Sequence, residues 1–448
     1  MRAVLWLLLL LAGCSKLLPP KDRVIALEGA TLIDGAGGAP KPDALIIIRN
    51  GHIEAIARIN QIPIPRNAER ISLVGKTVIP GLIDAHAHVE RWATGRYVAW
   101  GVTTVRDLHG GSDTVLALRN DLNLGSIVGP RMFTAGAMID GVPPTYANAT
   151  GILTPDQARR AVDQHALAGV DYLKIYTKVT PALLRPLLDE AEKLRLPVAA
   201  HLGKTDALTA ARAGVISIEH MAGVVQAATG DPSYPTAHNS FLAGWTAEEK
   251  GWAGLDSGAV ARTAHALAQT KVTIVPTLVV HDMLSRLDNP ILLMRPGMED
   301  VPENAQSVRS VPSLLRRTGW RAGDFAAFRR SRRRQDQFVR EYKRAGGPIA
   351  AGSDAANQLL IPGYSLHEEM ALLVAAGLTP LEAITAATRR GAQLLQADSL
   401  GMLAPGKVAD LVVLNGNPAG NILTTRNIAM VIIRGRVIRP DSLRATWK

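Results

Sequence analysis

The chain has 448 residues, of which 47% are hydrophobic, 20% charged and 4% aromatic. This composition excludes the disordered and collagenous classes, and the length accommodates either one large α/β barrel or two ordinary domains. The formal net charge is +11, but the low aromatic content and the lack of a recognised nucleic-acid motif predict no nucleic-acid partner. A basic chain also suits an anionic membrane surface or an acidic substrate, and the N-terminus favours the membrane.

The N-terminal segment MRAVLWLLLLLAGCS has a positive start at Arg2, a continuous apolar run and small residues before Cys14. It resembles a bacterial lipoprotein signal, in which residues 1–13 are removed and Cys14 carries lipid. We therefore expect an enzyme of the bacterial cell envelope, anchored to a membrane through Cys14 and facing the periplasm or the exterior. The alternative is an ordinary secretory signal with a chance cysteine. Cys14 is the only cysteine, so we expect no disulfide and no cysteine metal site.

Strand-like stretches with turn residues between them fall near both ends of the chain, at residues 24–33, 44–57, 409–414 and 428–438. The alternation in RNGHIEAIA indicates a hairpin within the second stretch. These patterns predict one small β-sandwich domain built from both terminal regions, residues 14–77 and 399–448.

The central region, residues 78–398, alternates short apolar runs with helical patterns. The candidate strands are residues 78–85, 102–108, 131–136, 172–176, 198–202, 217–220, 272–279 and 348–352. Helical spacing falls between most of them, as at 156–168, 181–194 and 206–213. Eight such units predict a (β/α)₈ TIM barrel, an α/β fold whose reactive groups lie at the C-terminal ends of the strands. Two longer segments, 223–256 and 283–325, are candidate lids over the barrel mouth.

His86 and His88 follow the first central strand with one residue between them. Because side chains alternate along a strand, both imidazoles point to the same face and can reach one metal ion. Similar candidates occur at later strand ends: Lys174, His201, His220 and Asp354. A buried Lys174 tends to lose its proton, and a neutral amine reacts with carbon dioxide to form a carbamate.

Seven segments carry a resemblance to the amidohydrolase superfamily: VIPGLIDAHAHV, TTVRDL, YLKIY, VAAHLG, SIEH, AAGSDA and LGMLAPGKVADLVVL. The resemblance runs from about Val24 to Arg439 and is strongest to the metal-dependent peptidases and lactam hydrolases related to prolidase and imidazolonepropionase. It implies two divalent metal ions, zinc first, with manganese, cobalt or iron as alternatives. It also implies the following ligands: His86, His88, Asp354 and carbamylated Lys174 for one ion, and His201, His220 and the same Lys174 carbamate for the other.

The expected function is hydrolysis of a C–N bond in a small molecule, such as a dipeptide or an N-acyl amino acid. A metal-bound hydroxide attacks the amide carbon, and Asp354 accepts its proton and passes it to the leaving nitrogen. Tyr176 and His281 are candidate substrate contacts. Among the cations near strand ends, Arg91, Arg96 and Lys178, no spacing selects one for a substrate carboxylate.

Two other functions fit the same residues. The first is a one-metal deaminase or lactam hydrolase, in which Lys174 is not carbamylated and Glu219 takes part. The second is a lipid-anchored binding protein that has kept the fold without turnover. The complete set of candidate ligands argues against the second. A homo-oligomer is compatible with the sequence.

Overall fold

A computed structural model describes residues 22–447 of the chain. The signal segment and Cys14 lie outside the described residues, so their role stays a prediction. Among the described residues, no helix combines the length and the apolar character that a membrane crossing requires.

The strands of the described region, in chain order, are β1 (Val24–Leu32), β2 (Lys41–Arg49), β3 (His52–Arg58), β4 (Glu69–Ser72), β5 (Lys76–Pro80), β6 (Leu82–Ala87), β7 (Val102–Asp107), β8 (Arg131–Thr134), β9 (Ile139–Gly141), β10 (Thr150–Ile152), β11 (Leu173–Ile175), β12 (Val198–Ala200), β13 (Ser217–Glu219), β14 (Thr273–Val275), β15 (Leu411–Asn415), β16 (Ile428–Ile433) and β17 (Arg436–Ile438).

The helices of the same region are α1 (Thr94–Ala99), α2 (Ser112–Leu124), α3 (Pro155–Ala168), α4 (Pro181–Lys193), α5 (Ala207–Ala213), α6 (Val224–Thr229), α7 (Ser233–Ala237), α8 (Phe241–Gly251), α9 (Ser257–Gln269), α10 (Leu278–Leu284), α11 (Gln306–Arg309), α12 (Val311–Thr318), α13 (Ala322–Arg344), α14 (Tyr364–Ala376), α15 (Pro380–Ala386), α16 (Arg389–Leu394) and α17 (Pro440–Arg444).

The two ends of the chain meet in one sheet with the strand order β17-β16-β15-β5-β1-β2-β3, in which β4 also pairs with β1. The predicted hairpin is confirmed: β2 and β3 pair antiparallel, and Asn50 and Gly51 at the turn both have positive φ. The Asn-Gly pair favours this turn because both residues tolerate the left-handed conformation. The terminal regions therefore share one hydrogen-bonded sheet.

The central strands are parallel and fall into two sheets, with the orders β6-β7-β8 and β10-β9-β11-β12-β13-β14. The backbone N–H of Asp171 donates to the carbonyl of Thr134 at 2.9 Å and so joins the start of β11 to β8. The segment that follows α13 makes parallel bridges to both sheets, through Ile349 to Ile274 of β14 and through Ala355 to Ala87 at the end of β6. The α/β class with parallel strands is confirmed.

Helices between the parallel strands begin where the sequence places capping residues. The Thr154 hydroxyl accepts from the Gln157 N–H at the start of α3, and the side chains of Asp206 and Asp256 cap α5 and α9 in the same way. Each cap provides an acceptor for a backbone N–H that the helix itself leaves without one. The predicted helices at 156–168, 181–194 and 206–213 correspond to α3, α4 and α5 within one or two residues.

Three predicted strands are wrong in their extent, and one of them, residues 348–352, forms only an isolated bridge at Ile349. Residues 78–85 divide between two sheets, because the chain leaves β5 and turns at Gly81 into β6; a Cβ at Gly81 would lie 2.1 Å from Thr103 Oγ1. Residues 272–279 contain only the short strand β14. Thr277 then adopts a left-handed conformation (φ +45°) and α10 begins, so the β-branched residues Val279 and Val280 are helical. Tertiary packing overrides the local preference there.

The two segments predicted as lids form short helices. Residues 223–256 contain α6, α7 and α8, and residues 283–325 contain α11, α12 and the first residues of α13. Apolar side chains of the second segment, including Met283, Leu284 and Leu314, belong to a separate core cluster, against which Leu242 and Trp245 of α8 pack.

Candidate active site

Six predicted site residues come together at one end of the parallel strands. Five of these side chains stand at or just after strand ends, and Asp354 follows the bridged segment after α13. All six line one cavity of about 950 Å³. We call this set the floor of the cavity: His86, His88, Lys174, His201, His220 and Asp354.

Asp354 lies at the centre of the floor. Its Oδ1 is 2.9 Å from His88 Nε2 and 3.2 Å from His86 Nε2. One ligand atom from each of His86, His220 and Asp354 lies within 4.8 Å of the other two, which is close enough to share one ion. The imidazole of His201 packs 4.7 Å from that of His220, measured between ring centroids. The floor is therefore one continuous group of nitrogen and oxygen donors.

Hydrogen bonds behind the floor fix the tautomers of two histidines. His86 Nδ1 lies 2.7 Å from Glu219 Oε2, and an ionised carboxylate only accepts, so Nδ1 carries the proton. The Thr277 hydroxyl donates to the Pro276 carbonyl and is therefore left to accept from His220 Nδ1 at 2.7 Å. In both rings the lone pair is then on Nε2. Such orienting partners are typical of metal-binding histidines.

Glu219 is itself held by a buried guanidinium. Arg106 Nη2 donates to Glu219 Oε1 at 2.8 Å, and both side chains are fully buried. Burial alone would raise the pKa of Glu219, but Arg106 and His86 lower it below its usual range. Glu219 therefore stays a carboxylate that can accept the His86 proton.

Lys174 is 2% exposed, and among the described residues its Nζ has no hydrogen-bond partner. Burial lowers the pKa of Lys174 to about 8, with Glu219 opposing the shift and Arg106 adding to it. An amine with this pKa is substantially neutral near pH 8. It has the chemical state that carbamate formation requires.

The donor set fits a divalent cation. Asp354 Oδ1 is buried without a well-aligned hydrogen-bond donor among the described residues, while the unprotonated Nε2 of His86 faces it. Burial lowers the pKa values of His201 and His220 well below the usual range, and Lys174 and His86 add to this effect, so these rings are neutral, as metal binding requires. Electron-rich atoms that converge without protons between them are stabilised by a cation.

The two predicted substrate contacts, Tyr176 and His281, both line the cavity, but they differ in how far hydrogen bonds within the protein already hold them. The Tyr176 ring lies 4.7 Å from the His201 ring and faces the cavity. His281 is 4% exposed, with Nδ1 2.7 Å from Glu249 Oε2 and Nε2 3.1 Å from the His220 carbonyl oxygen. Both ring nitrogens of His281 therefore have acceptors within the protein.

The three cations that the sequence left open lie in different environments. Arg91 lines the cavity but pairs with Asp121 at 2.7 Å. Arg96 is buried against the carbonyls of Trp92 and Asp300, and Lys178 Nζ donates to the Pro143 carbonyl at 2.6 Å. None of the three faces the cavity without a partner among residues 22–447.

Sequence reasoning missed Arg106, Thr277 and Arg317. Arg106 had a signal, since it is a charged residue within the apolar strand pattern of TTVRDL and such a residue needs a buried partner. Thr277 had none, because its role depends on the left-handed turn before α10. Arg317 lies on α12 at the cavity wall, far along the chain from every strand end.

Comparisons with known proteins indicate the family and the fold of this chain. Residues 77–438 match the profile of the Amidohydrolase family. An imidazolonepropionase of Pyrobaculum arsenaticum is 39% identical over 75 residues, a match that spans 17% of this chain and 19% of that protein. A Bifidobacterium longum structure with a provisional prolidase assignment superposes with a TM-score of 0.70 at 25% identity, covering 95% of this chain and 99% of that one. A Xaa-Pro dipeptidase structure with bound methionine gives 0.69 at 22% identity, covering 93% and 100%.

The chain belongs to the amidohydrolase family, because the profile covers well over half of its length. It is accordingly a hydrolase that acts on C–N bonds. Members of the family bind divalent metals, and the His86, His220 and Asp354 cluster provides a matching place in this chain.

Proposed function

We propose that this enzyme hydrolyses an amide bond of a small molecule, in a peptide, an N-acyl amino acid or a cyclic amide. The observation that carries the proposal is the convergence of His86 Nε2 and His88 Nε2 on Asp354 Oδ1, together with a buried Lys174 amine that has no hydrogen-bond partner in the described part of the chain. The superposition on a Xaa-Pro dipeptidase and the short match to an imidazolonepropionase support the same bond class.

The residues that would hold metal fall into two groups. His86, His88 and Asp354 would hold one divalent cation, His201 and His220 would hold a second, and Lys174, if carbamylated, would supply a further oxygen ligand to the site. Zinc is the first choice, since neutral imidazole and carboxylate suit it; manganese, cobalt and iron accept the same ligands. When bound, a divalent cation lowers the pKa of a water molecule and polarises a carbonyl.

The chain's own residues supply the proton transfers. Burial opposes ionisation of Asp354, but its pKa still lies well below the usual range, so it is a carboxylate at neutral pH. Asp354 Oδ1 accepts the proton of the attacking water and delivers it to the leaving nitrogen. Glu219 and Thr277 keep the two histidine rings in their orientation during these transfers.

The scaffold we propose is a (β/α)₈ barrel of residues 78–398 beside a β-sandwich of residues 14–77 and 399–448. In support, the segment after α13 bridges β14 and β6, and the Asp171 N–H connects β11 to β8. One apolar cluster contains side chains of β1 and β2 together with side chains of β15 and β16. Neither β1 nor β2 pairs with β15 or β16 in the sheet.

The location we propose is the bacterial cell envelope, with lipid on Cys14 as the anchor. The support is the N-terminal sequence alone. Metabolic labelling with a palmitate analogue tests this: wild type takes up label, and Cys14→Ser does not. Label retained by the Cys14→Ser variant would contradict the anchor.

The first experiment combines metal analysis with a substrate panel. Elemental mass spectrometry that finds about two ions per chain supports the bridged site, and about one ion favours the one-metal deaminase or lactam hydrolase. Dipeptides, N-acyl amino acids and a cyclic amide are then incubated with enzyme before and after chelation. Chelator-sensitive amide hydrolysis is the expected result. An enzyme fully loaded with metal that cleaves no panel member would refute the proposed function.

A further inference from the structure

One part of the wall of the active-site cavity is apolar, and the two segments that were predicted as lids, residues 223–256 and 283–325, build it; we call them the inserted segments. Phe241, Leu242 and Trp245 lie on α8 with the spacing of one helix face, and all three line the cavity. Side chains of the second segment and of the end of α10 also line it. We call this set the apolar wall: Phe241, Leu242, Trp245, Met283, Leu284 and Leu314.

The apolar wall lies next to the floor. The ring centroid of Phe241 lies 6.1 Å from that of His201, and Trp245 stacks on Phe241 at 5.4 Å. Trp320 then packs edge-on against Trp245 at 5.7 Å. An apolar group attached to a carbonyl carbon at the floor would therefore contact aromatic surface from its first atoms onward.

The size of the cavity exceeds what a minimal amide needs. At about 950 Å³ it lies near the upper end of the range for small-molecule sites, about 300–1,000 Å³. A dipeptide or an acetylated amino acid would leave much of the apolar wall in contact with water. Burial of a longer apolar group removes that contact and is favourable.

The charged side chains around the cavity indicate which group the ligand carries at the end away from its apolar part. Arg317 lines the cavity, is exposed, and has no ion pair or hydrogen bond within residues 22–447, unlike Arg91. It lies near Tyr146, whose ring is 5.7 Å from that of Tyr176. Such a guanidinium suits a carboxylate.

A substrate ammonium has little to bind. Besides Asp354, the described lining contains one carboxylate, Glu90, and its Oε2 already accepts from Trp92 Nε1 at 2.6 Å. The cavity therefore disfavours the free amino group of a dipeptide and accepts a neutral acyl group in its place.

We propose that the substrates are N-acyl amino acids with a medium-chain or aromatic acyl group. The acyl group packs on the apolar wall, and the carboxylate of the amino acid pairs with Arg317. This inference rests on the proposed amide hydrolysis. Water adds its oxygen to the acyl carbon, the C–N bond breaks, and the products are a carboxylic acid and a free amino acid.

The test compares four compounds with the metal-loaded enzyme: N-acetyl-L-alanine, N-octanoyl-L-alanine, N-octanoyl-L-alaninamide and the dipeptide L-leucyl-L-alanine. For wild type we expect kcat/KM for the octanoyl compound to exceed that for the acetyl compound by at least about tenfold, because its chain is buried. We expect the octanoyl carboxylate to exceed both its carboxamide and the dipeptide. Equal values across the four compounds would overturn the inference.

Substitutions test which residues bind the acyl group and which bind the carboxylate of the ligand. Trp245→Ala, and independently Leu242→Asn, should lower the octanoyl-to-acetyl ratio toward one. Arg317→Gln should raise KM for the octanoyl carboxylate about tenfold and remove its advantage over the carboxamide. Arg91→Gln, a cation of the same cavity with an acidic partner, should leave that advantage in place. A loss of the advantage in Arg91→Gln alone would overturn the assignment to Arg317.

A binding measurement separates this inference from the proposed function. Calorimetric titration of the Asp354→Asn variant with the octanoyl and acetyl compounds should show tighter binding of the octanoyl compound. If wild type cleaves none of the compounds but this difference is found, the amide hydrolysis is wrong and the ligand site stands. If wild type cleaves the acetyl compound as well as the octanoyl one and binding shows no difference, the ligand site is wrong.

Discussion

The floor and the apolar wall of the same cavity are built from different kinds of side chain on different kinds of element. The floor consists of titratable side chains at strand ends, held by buried partners such as Glu219, Arg106 and Thr277. The apolar wall consists of helix faces in two inserted segments and contains no titratable group. The comparison indicates a division of labour, because rigid strand ends suit chemistry that needs accurate geometry, whereas inserted segments can change shape without disturbing it.

His281 connects the two regions. It lies on α10 and binds the His220 carbonyl with one nitrogen and Glu249 of α8 with the other. Gln335 of α13 also donates to Glu249, at 3.1 Å. The position of His220 in the floor thus depends on α8, a helix of the inserted segments. Floor and wall are therefore not fully independent.

The largest expected effect concerns the floor. Asp354→Asn should lower kcat about 10³-fold, because the amide cannot take up the proton of water, while much of the metal is retained. Steady-state kinetics and elemental analysis of the same preparation check both parts. A kcat within tenfold of wild type would remove Asp354 from its proposed role.

The second effect concerns the support beneath the floor. Glu219→Gln should weaken metal affinity about 10- to 100-fold, since the amide no longer holds the His86 tautomer. Competition with a fluorescent chelator measures the affinity. The matched control is Glu248→Gln, a buried glutamate of α8 whose Oε1 accepts from the Gly223 N–H at 2.8 Å. Equal loss in both variants would mean that the effect is general destabilisation.

A third, smaller effect tests the connection through His281. His281→Asn should weaken metal affinity about tenfold by freeing the His220 carbonyl, as other losses of orienting partners do. His265→Asn on α9, a largely exposed histidine, is the control and should bind metal like wild type. Unchanged metal affinity in His281→Asn would show that the helices of the inserted segments do not influence metal binding at the floor.

The smallest effect belongs to the wall. Leu242 is only half-buried, so Leu242→Ala should lower the free energy of unfolding by less than about 1.5 kcal/mol. Metal affinity should stay within twofold of wild type, because the Leu242 side chain has no polar group that could orient a residue of the floor. Urea denaturation and chelator competition measure the two quantities. A metal affinity that falls with this substitution would show that wall packing positions the floor.

Much of the fold and the floor could be predicted from the sequence because both follow local periodicity. Alternation placed His86 and His88 on one face, and Lys174, His201 and His220 at strand ends, where the structure has them. The same rule failed at residues 272–279, where β-branched residues enter α10 after the turn at Thr277. Periodicity does not reveal a turn that depends on contacts with other elements.

The sequence by itself determined the candidate ligand residues, their order along the strands and the membership in the amidohydrolase family. Only the tertiary structure decided which partners orient these residues and which side chains line the cavity. Arg106 reaches Glu219 across the sheet, and Trp245 and Arg317 reach the cavity from segments without strand periodicity. The physical reason is that a strand end is a local feature of the chain, whereas a cavity wall is formed by side chains that meet only after folding.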